Sequence, residues 1–305
     1  MDINYIVLIA IVLIAIPFVI QKKKNTNKDT NSATDNCAST VEDDTFLLGE
    51  YQTNIWKLGQ ETINEIQGHP SESDFDKKDT LLKRATSLKK DGDIDKSIKT
   101  IDKAISHCKC FDAIYKKAYY LQIDKQYDKA WKTLDNYRME ISSLFVDSNN
   151  WGPARRILQL LNDVESGSIK ILKGEKKYKD LAYYLPGSVY LELVFYTIAH
   201  SSTESFENIC NRYTEINLSE NINKSFKDID RSRYDEEFRS FLLSRKEDLK
   251  QLYKASIMLE GSGNREEYAY VKKTEKLNAQ ATELMKSLYY GQISINDKCS
   301  VHLIG

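Results

Sequence analysis

Two stretches of this chain repeat one another at an offset of 33 residues, and that periodicity restricts the fold more than any other feature. Leu81 to Ile105 reads LLKRATSLKKDGDIDKSIKTIDKAI, and Ile114 to Tyr137 reads IYKKAYYLQIDKQYDKAWKTLDNY. In register, Ala85 falls on Ala118, Leu88 on Leu121, Ile94 on Tyr127, Ser97 on Ala130 and Ile101 on Leu134. Both stretches have apolar residues at helical spacing on either side of a polar break. Asp91-Gly92-Asp93 makes the turn in the first and Asp124-Lys125-Gln126 in the second. Small residues at Ala85, Ala118, Ser97 and Ala130 let the two backbones of each pair approach, while Leu88, Leu121, Ile101 and Leu134 fill the space between stacked pairs.

Small and large positions that coincide at this period resemble the tetratricopeptide repeat, a helix-turn-helix unit of about 34 residues. The resemblance is clear over residues 78–140 and departs from the family in two ways. The usual proline at the repeat end is missing, and Tyr137 stands where Ala104 predicts a small residue. The resemblance implies an all-α chain of TPR-like antiparallel helical hairpins, an α-solenoid, whose first helices line a concave surface. On that surface Lys89, Tyr115, Lys116 and Tyr119 are the candidate partner-binding residues.

Helical patterning extends on both sides. Phe46 to Ile66 predicts a helix closed by a polar break from Gly68 to Asp79. Further helices are expected over Pro153–Leu172, Ser188–His200, Thr203–Ile216 and Asn221–Ile229, with Leu185-Pro186-Gly187 as a firm break. Ser201-Ser202-Thr203-Glu204 has capping-box spacing. Val189 to Ala199 is very apolar but, at eleven residues with Glu192 inside, suits a buried central helix. The C-terminal third predicts a long helical hairpin, Arg233–Glu260 and Asn264–Tyr290, separated by Gly261-Ser262-Gly263. After it, residues 291–305 read as a small β-hairpin or an extended tail.

Before all of this lies a run of sixteen apolar residues, Tyr5 to Ile20, followed by Gln21 and then Lys22, Lys23 and Lys24. As a helix it covers about 24 Å against a bilayer core of about 30 Å, and the lysine stems snorkel to the headgroups. No basic residue precedes the run and no small-x-small site follows it, so a membrane anchor over residues 3–21 is expected rather than a cleaved signal. Residues 22–43, rich in Lys, Asn, Asp, Ser and Thr, read as a flexible linker. The lysines after the span place the N-terminus outside and the rest of the chain in the cytoplasm. The domain organisation expected is therefore anchor, linker, a helical domain over 44–232, a C-terminal hairpin over 233–290 and a tail. This layout is similar to that of mitochondrial outer-membrane import receptors, although a bacterial inner membrane is the preferred setting.

Charge and chemistry narrow the function. Lysines and arginines number 44 against 45 acidic residues, so electrostatics give no case for a nucleic-acid partner. The five cysteines, Cys37, Cys108, Cys110, Cys210 and Cys299, form no framework and suggest free thiols in a reducing compartment. His107-Cys108-Lys109-Cys110 offers metal-ligand chemistry but no fourth ligand nearby, so structural filler is the preferred reading and no metal or other cofactor is expected. Phosphate-binding loops, HExxH and GxSxG are absent, so no enzyme is expected. The function expected is a single-pass membrane-tethered adaptor that recruits a protein or peptide partner. The alternative is a scaffold protein that assembles into homo-oligomers through the C-terminal hairpin.

Overall fold

A computed structural model describes residues 57–222, 230–260 and 274–301. The predicted anchor and linker, Cys37, Tyr268 and Val271 lie outside the described residues. Among the described residues the chain is all-helical and contains no strand. A helix over 57–67 (α1) is followed by α2 (Glu72–Lys90), α3 (Ile94–His107), α4 (Phe111–Ile123), α5 (Tyr127–Asp147), α6 (Trp151–Glu175) and α7 (Tyr178–Ala199). Next come α8 (Phe206–Thr214), a 3-10 turn (Leu218–Asn221), α9 (Arg231–Ser244), α10 (Lys246–Glu260) and α11 (Thr274–Val301).

The pairs α2/α3, α4/α5 and α6/α7 are built on one local device. In each, the first helix ends in a residue with left-handed backbone: Gly92 (φ 84°), Lys125 (φ 61°) and Lys176 (φ 58°). The next N–H reaches back across the turn to a leucine carbonyl, Asp93 to Leu88 at 2.9 Å, Gln126 to Leu121 at 2.8 Å and Lys177 to Leu172 at 3.1 Å. This double reversal satisfies carbonyls that a helix end otherwise leaves open, and the same residue that closes one helix starts the next. The third pair therefore repeats the first two, displaced by 51 residues from Lys125 to Lys176 instead of 33 from Gly92 to Lys125. Longer helices account for the shift, since α5 and α6 have 21 and 25 residues where α3 and α4 have 14 and 13.

The aligned small positions pack as the repeat requires. Ala85, Ser97, Ala118 and Ala130 are fully buried, and Ser97 Oγ donates to the Ala85 carbonyl at 2.6 Å. Ile101 and Leu134 are fully buried as well, and Tyr137 is buried at the place of Ala104. The second pair thus takes a large ring where the first takes a methyl group, and that ring stacks on Phe111 with centres 6.4 Å apart. Helix α1 uses the extra length of α6 from the other end. A Cβ on Gly59 would lie 3.0 Å from the Gly152 carbonyl oxygen, and the Lys109 N–H donates to the Gln67 carbonyl at 3.1 Å. At about 1.5 Å per residue, eleven residues of α1 and thirteen of α4 placed end to end match the 25 of α6.

Several boundaries differ from expectation. The break after α1 spans only 68–71, because Ser71 and Asp74 form a capping box that starts α2 at Glu72. Helix α7 runs straight through Leu185-Pro186-Gly187. Proline at 186 removes the N–H that would bond the Ala182 carbonyl, and the Tyr234 hydroxyl donates to that carbonyl instead, at 2.7 Å. Tyr234→Phe is therefore expected to lower stability by about 1–2 kcal/mol, read as a reduced urea midpoint. An unchanged midpoint would mean that the carbonyl does not depend on the hydroxyl. Helix α8 is capped by Ser205, which accepts from the Asn208 N–H, and Ser201 is buried with its hydroxyl on the Ile198 carbonyl. A helix was expected to start at Asn221, which instead ends a 3-10 turn, and 223–229 lie outside the described residues.

The predicted long helix Arg233–Glu260 is two helices, broken at Arg245, whose N–H bonds the Phe241 and Leu242 carbonyls. Helix α11 continues to Val301, where a hairpin or extended tail was expected. Its inner residues Ala281, Met285 and Leu288 share one core with Tyr190, Leu191 and Val194 of the central helix α7. Leu82, Ala85, Ile101, Ala104, Ala113 and Tyr120 form a smaller second core inside the first repeat region.

Cys108 and Cys110 form a disulfide across the loop between α3 and α4, with Cα atoms 5.3 Å apart, a separation that suits the bond. The expectation of free thiols is corrected at these two positions, and the cysteines no longer argue for a reducing compartment. Close spacing in a tight loop, not a long-range framework, makes the pair. Cys210 is a buried free thiol.

Candidate functional site

Helices α2, α4 and α6 run parallel and side by side. Residues 34 apart meet between α2 and α4: Lys78 Nζ lies 2.9 Å from Asp112 Oδ2, Lys116 Nζ donates to the Leu82 carbonyl at 3.2 Å, and the Tyr120 hydroxyl is 3.5 Å from Thr86 Oγ1. Between α4 and α6 the contacts are Tyr115 with Gly167 and Gln122 with the Ile171 carbonyl, at 2.7 Å from its amide nitrogen. Gly167 is needed for this approach, because a Cβ there would stand 3.0 Å from the Tyr115 ring. Three first helices thereby present one continuous face.

All four sequence candidates fall on it. Lys89, in the last turn of α2, holds its Nζ 5.5 Å from the centres of both the Tyr119 and Tyr120 rings. Tyr119 is 40% exposed and stands beside Ile123, which is 41% exposed. Tyr115 is stacked on Phe111 with ring centres 5.9 Å apart, and burial raises its phenol pKa. Lys116 is half-buried between α2 and α4.

Sequence reading missed the contribution of α6. Lys170 lies over the Tyr115 ring at 5.8 Å, one turn above Gly167. Lys173, three residues further along α6, is exposed, and partial desolvation lowers its ammonium pKa. Deeper along α6, burial pushes the Asp163 carboxyl up to about 6, with the charge of Lys170 pulling it the other way. The spacing of Gly167 and Gly174, two turns apart on one helix, was the available signal, since paired glycines on one side mark a close neighbour.

The His107-Cys108-Lys109-Cys110 loop is tied up locally. His107 Nδ1 sits 3.2 Å from Asp74 Oδ1, the two sulfurs are bonded to each other and Lys109 pairs with Glu140. Among the described residues no group of three His, Cys, Asp or Glu side chains is arranged to hold a metal ion. No described helix is long and apolar enough to cross a membrane, and the apolar run over 5–20 lies outside the described residues. Comparison of the chain with protein-family models, with curated proteins and with solved structures gives no match.

Proposed function

We propose that this chain is a membrane-tethered adaptor whose α2/α4/α6 face holds a segment of a partner protein. The N-terminal apolar run anchors it, the lysines after the run keep the helical body on the cytoplasmic side, and the three pairs act as TPR-like units. The observation that carries the reading is the gathering of Lys89, Tyr115, Lys116 and Tyr119, with exposed Ile123, on one face made by three parallel helices. Aromatic rings beside cations form a surface suited to holding a chain of mixed chemistry. Tethering turns modest affinity into recruitment by raising the local concentration of whatever is bound.

Self-assembly through the C-terminal helices is the weaker alternative. Tyr234, Phe238, Phe241 and Leu242 of α9 and Leu249, Leu252 and Leu259 of α10, apolar residues such an assembly would need on the surface, are all buried in the body of the protein.

Crosslinking and pull-down from intact membranes tests the adaptor reading. The comparison is between the full chain and the double variant Lys116→Ala/Tyr119→Ala. A partner captured by the wild type is expected to be depleted about tenfold with the variant, the effect of losing one anchor of an interface. Capture unchanged by the variant would remove this face as the binding site. Point variants are needed because deleting residues 78–140 removes Ile101, Leu134 and Tyr137 from the core.

A further inference from the structure

The bonded cysteines stand at a joint between helices. Cys108 caps the C-terminal end of α3, Cys110 is the N-cap of α4, and the two are only two positions apart. A bridge that closes so short a loop takes little freedom from the unfolded chain, so its effect is local and it adds little to overall stability. Three other elements hold the same loop. The Lys109 N–H donates to the Gln67 carbonyl at the end of α1 at 3.1 Å, His107 Nδ1 lies 3.2 Å from Asp74 Oδ1 in the first turn of α2, and Lys109 Nζ pairs with Glu140 of α5. The loop also lies where the two cores divide. Helices α2 and α3 give Leu82, Ala85, Ile101 and Ala104 to the small core, whereas α4 gives Ala113 and Tyr120 to the small core and Ile114 and Ala118 to the large one.

We propose that Cys108 and Cys110 are a redox couple that sets how firmly the first helical pair is seated on the second, closed by hydrogen peroxide and opened by a thiol reductant. The inference goes beyond the adaptor reading and takes from it only the side of the membrane, where thiol reductants keep permanent disulfides rare. Cys110 is 6% exposed and Cys108 is not exposed at all, so access directs the first attack to Cys110. Cys110 also begins a helix of thirteen residues, a position where backbone N–H groups and the helix dipole favour thiolate over thiol. Neighbouring charges are balanced in pairs, His107 beside Asp74, Lys109 with Glu140 and Lys78 with Asp112, so the helix end decides. In reduction, a reductant thiolate attacks the Cys110 sulfur, the S–S bond breaks, and Cys108 leaves with the electron pair and takes up a proton. A second reductant thiol cleaves the mixed disulfide and frees Cys110. Two electrons and two protons enter the protein and the reductant leaves as its own disulfide. In the return step peroxide oxidises the Cys110 thiolate to a sulfenic acid with loss of one water, and the Cys108 thiol condenses on it with loss of a second. The opened pair is two thiols that must stand apart at van der Waals distance. Sulfurs buried this fully gain that distance only if the loop shifts, which pulls on Gln67 and Asp74.

The test uses the full chain in nanodiscs of phosphatidylcholine, equilibrated with reduced and oxidised glutathione at the cytosolic ratio and then treated with hydrogen peroxide. Differential alkylation read by mass spectrometry is expected to find Cys108 and Cys110 as free thiols in glutathione and joined after peroxide. Hydrogen exchange of the amides over 64–74 and 104–114 is expected to be at least about tenfold faster in the reduced form, with the middle of α7 unchanged. Cys108→Ala/Cys110→Ala should exchange at one rate in both buffers, which excludes oxidation elsewhere, at Cys210 for example, as the cause. A bond that persists in glutathione overturns the inference and makes the pair a structural clasp. Thiols that peroxide fails to join overturn it too, as does equal exchange over 64–74 and 104–114 in the two states. None of these readouts involves a bound partner, so the adaptor reading stands or falls separately, by the membrane pull-down.

Discussion

Arg138→Leu is expected to destabilise the protein by about 3–5 kcal/mol, because it strands a carboxylate in the core. The Arg138 guanidinium reaches across from α5 to Glu165 Oε1 at 2.8 Å and Ser168 Oγ at 2.8 Å on α6, and to Asp135 at 2.7 Å on its own helix. Its flat face lies over Trp131 at 5.6 Å and Tyr184 of α7 at 5.8 Å. Only 4% of the Glu165 side chain reaches solvent, so this carboxylate has no water to fall back on when the arginine is removed. Glu165→Leu alone should also be costly, since it leaves the guanidinium desolvated with fewer acceptors.

The double variant Arg138→Leu/Glu165→Leu discriminates between a buried pair and a mere contact. Removing both charges is expected to cost far less than the sum of the single changes, because the unpaired charge, and not the lost attraction, dominates each single loss. Urea unfolding of the four proteins reads this directly. Single variants that each lose less than about 1 kcal/mol, or a double variant that is simply additive, would show that solvent reaches Glu165. The network sits where the second helix pair meets the third. Its integrity thus decides whether α6, and with it Lys170 and Gly167, stays in register with α4.

That junction also marks where the sequence stops being legible. In the first two pairs the identity of the small and large positions is a direct record of packing: Ala85, Ser97, Ala118 and Ala130 are small because backbones meet there. The third pair obeys the same turn geometry, but lengthened helices move its offset to 51 residues and Ile169 and Leu181 occupy the places of the small residues. A search at fixed period passes over it. Pro186 misleads for a different reason. Local sequence carries the missing N–H, whereas the hydroxyl that compensates comes from Tyr234, 52 residues beyond the Ala182 carbonyl it serves. The break at Arg245 has no glycine or proline to announce it. Of the α2/α4/α6 face, the two helices inside the recognised repeat were readable, and the third, with Gly167 and Lys170, was not.

A chain that ends at residue 222 is expected to lose cooperative folding, although the helical pairs α2 to α7 are all present in it. Repeat proteins often tolerate loss of terminal units because each unit contacts only its neighbours. Here the last helices do more than extend an array. Tyr234, Phe238, Phe241, Leu242, Leu249, Leu252, Leu259, Met285 and Leu288 are buried in the same core as the central helix α7. Fully burying such a side chain is worth about 1.5–3 kcal/mol, so the nine together supply on the order of 14–27 kcal/mol of gross burial. A domain's net stability is about 5–15 kcal/mol, so ordering entropy released by the deletion must offset most of that loss for any fold to survive. Two polar links go as well: Asn278 Oδ1 accepts from the Trp151 N–H at 2.7 Å, and Glu260 Oε1 accepts from the Trp151 indole at 3.3 Å. Without them the Trp151 N–H and indole lose these acceptors, in the first turn of α6 where α1 lies against it, although Asn150 still caps the Gly152 N–H. Circular dichroism of residues 57–222 beside residues 57–305 is expected to show retained helix with a broad, non-cooperative melt and raised dye binding in the shorter chain. A sharp transition within a few degrees of the longer chain's would mean that the three pairs stand alone. The C-terminal helices would then be an appended module, and their burial on α7 a docking contact.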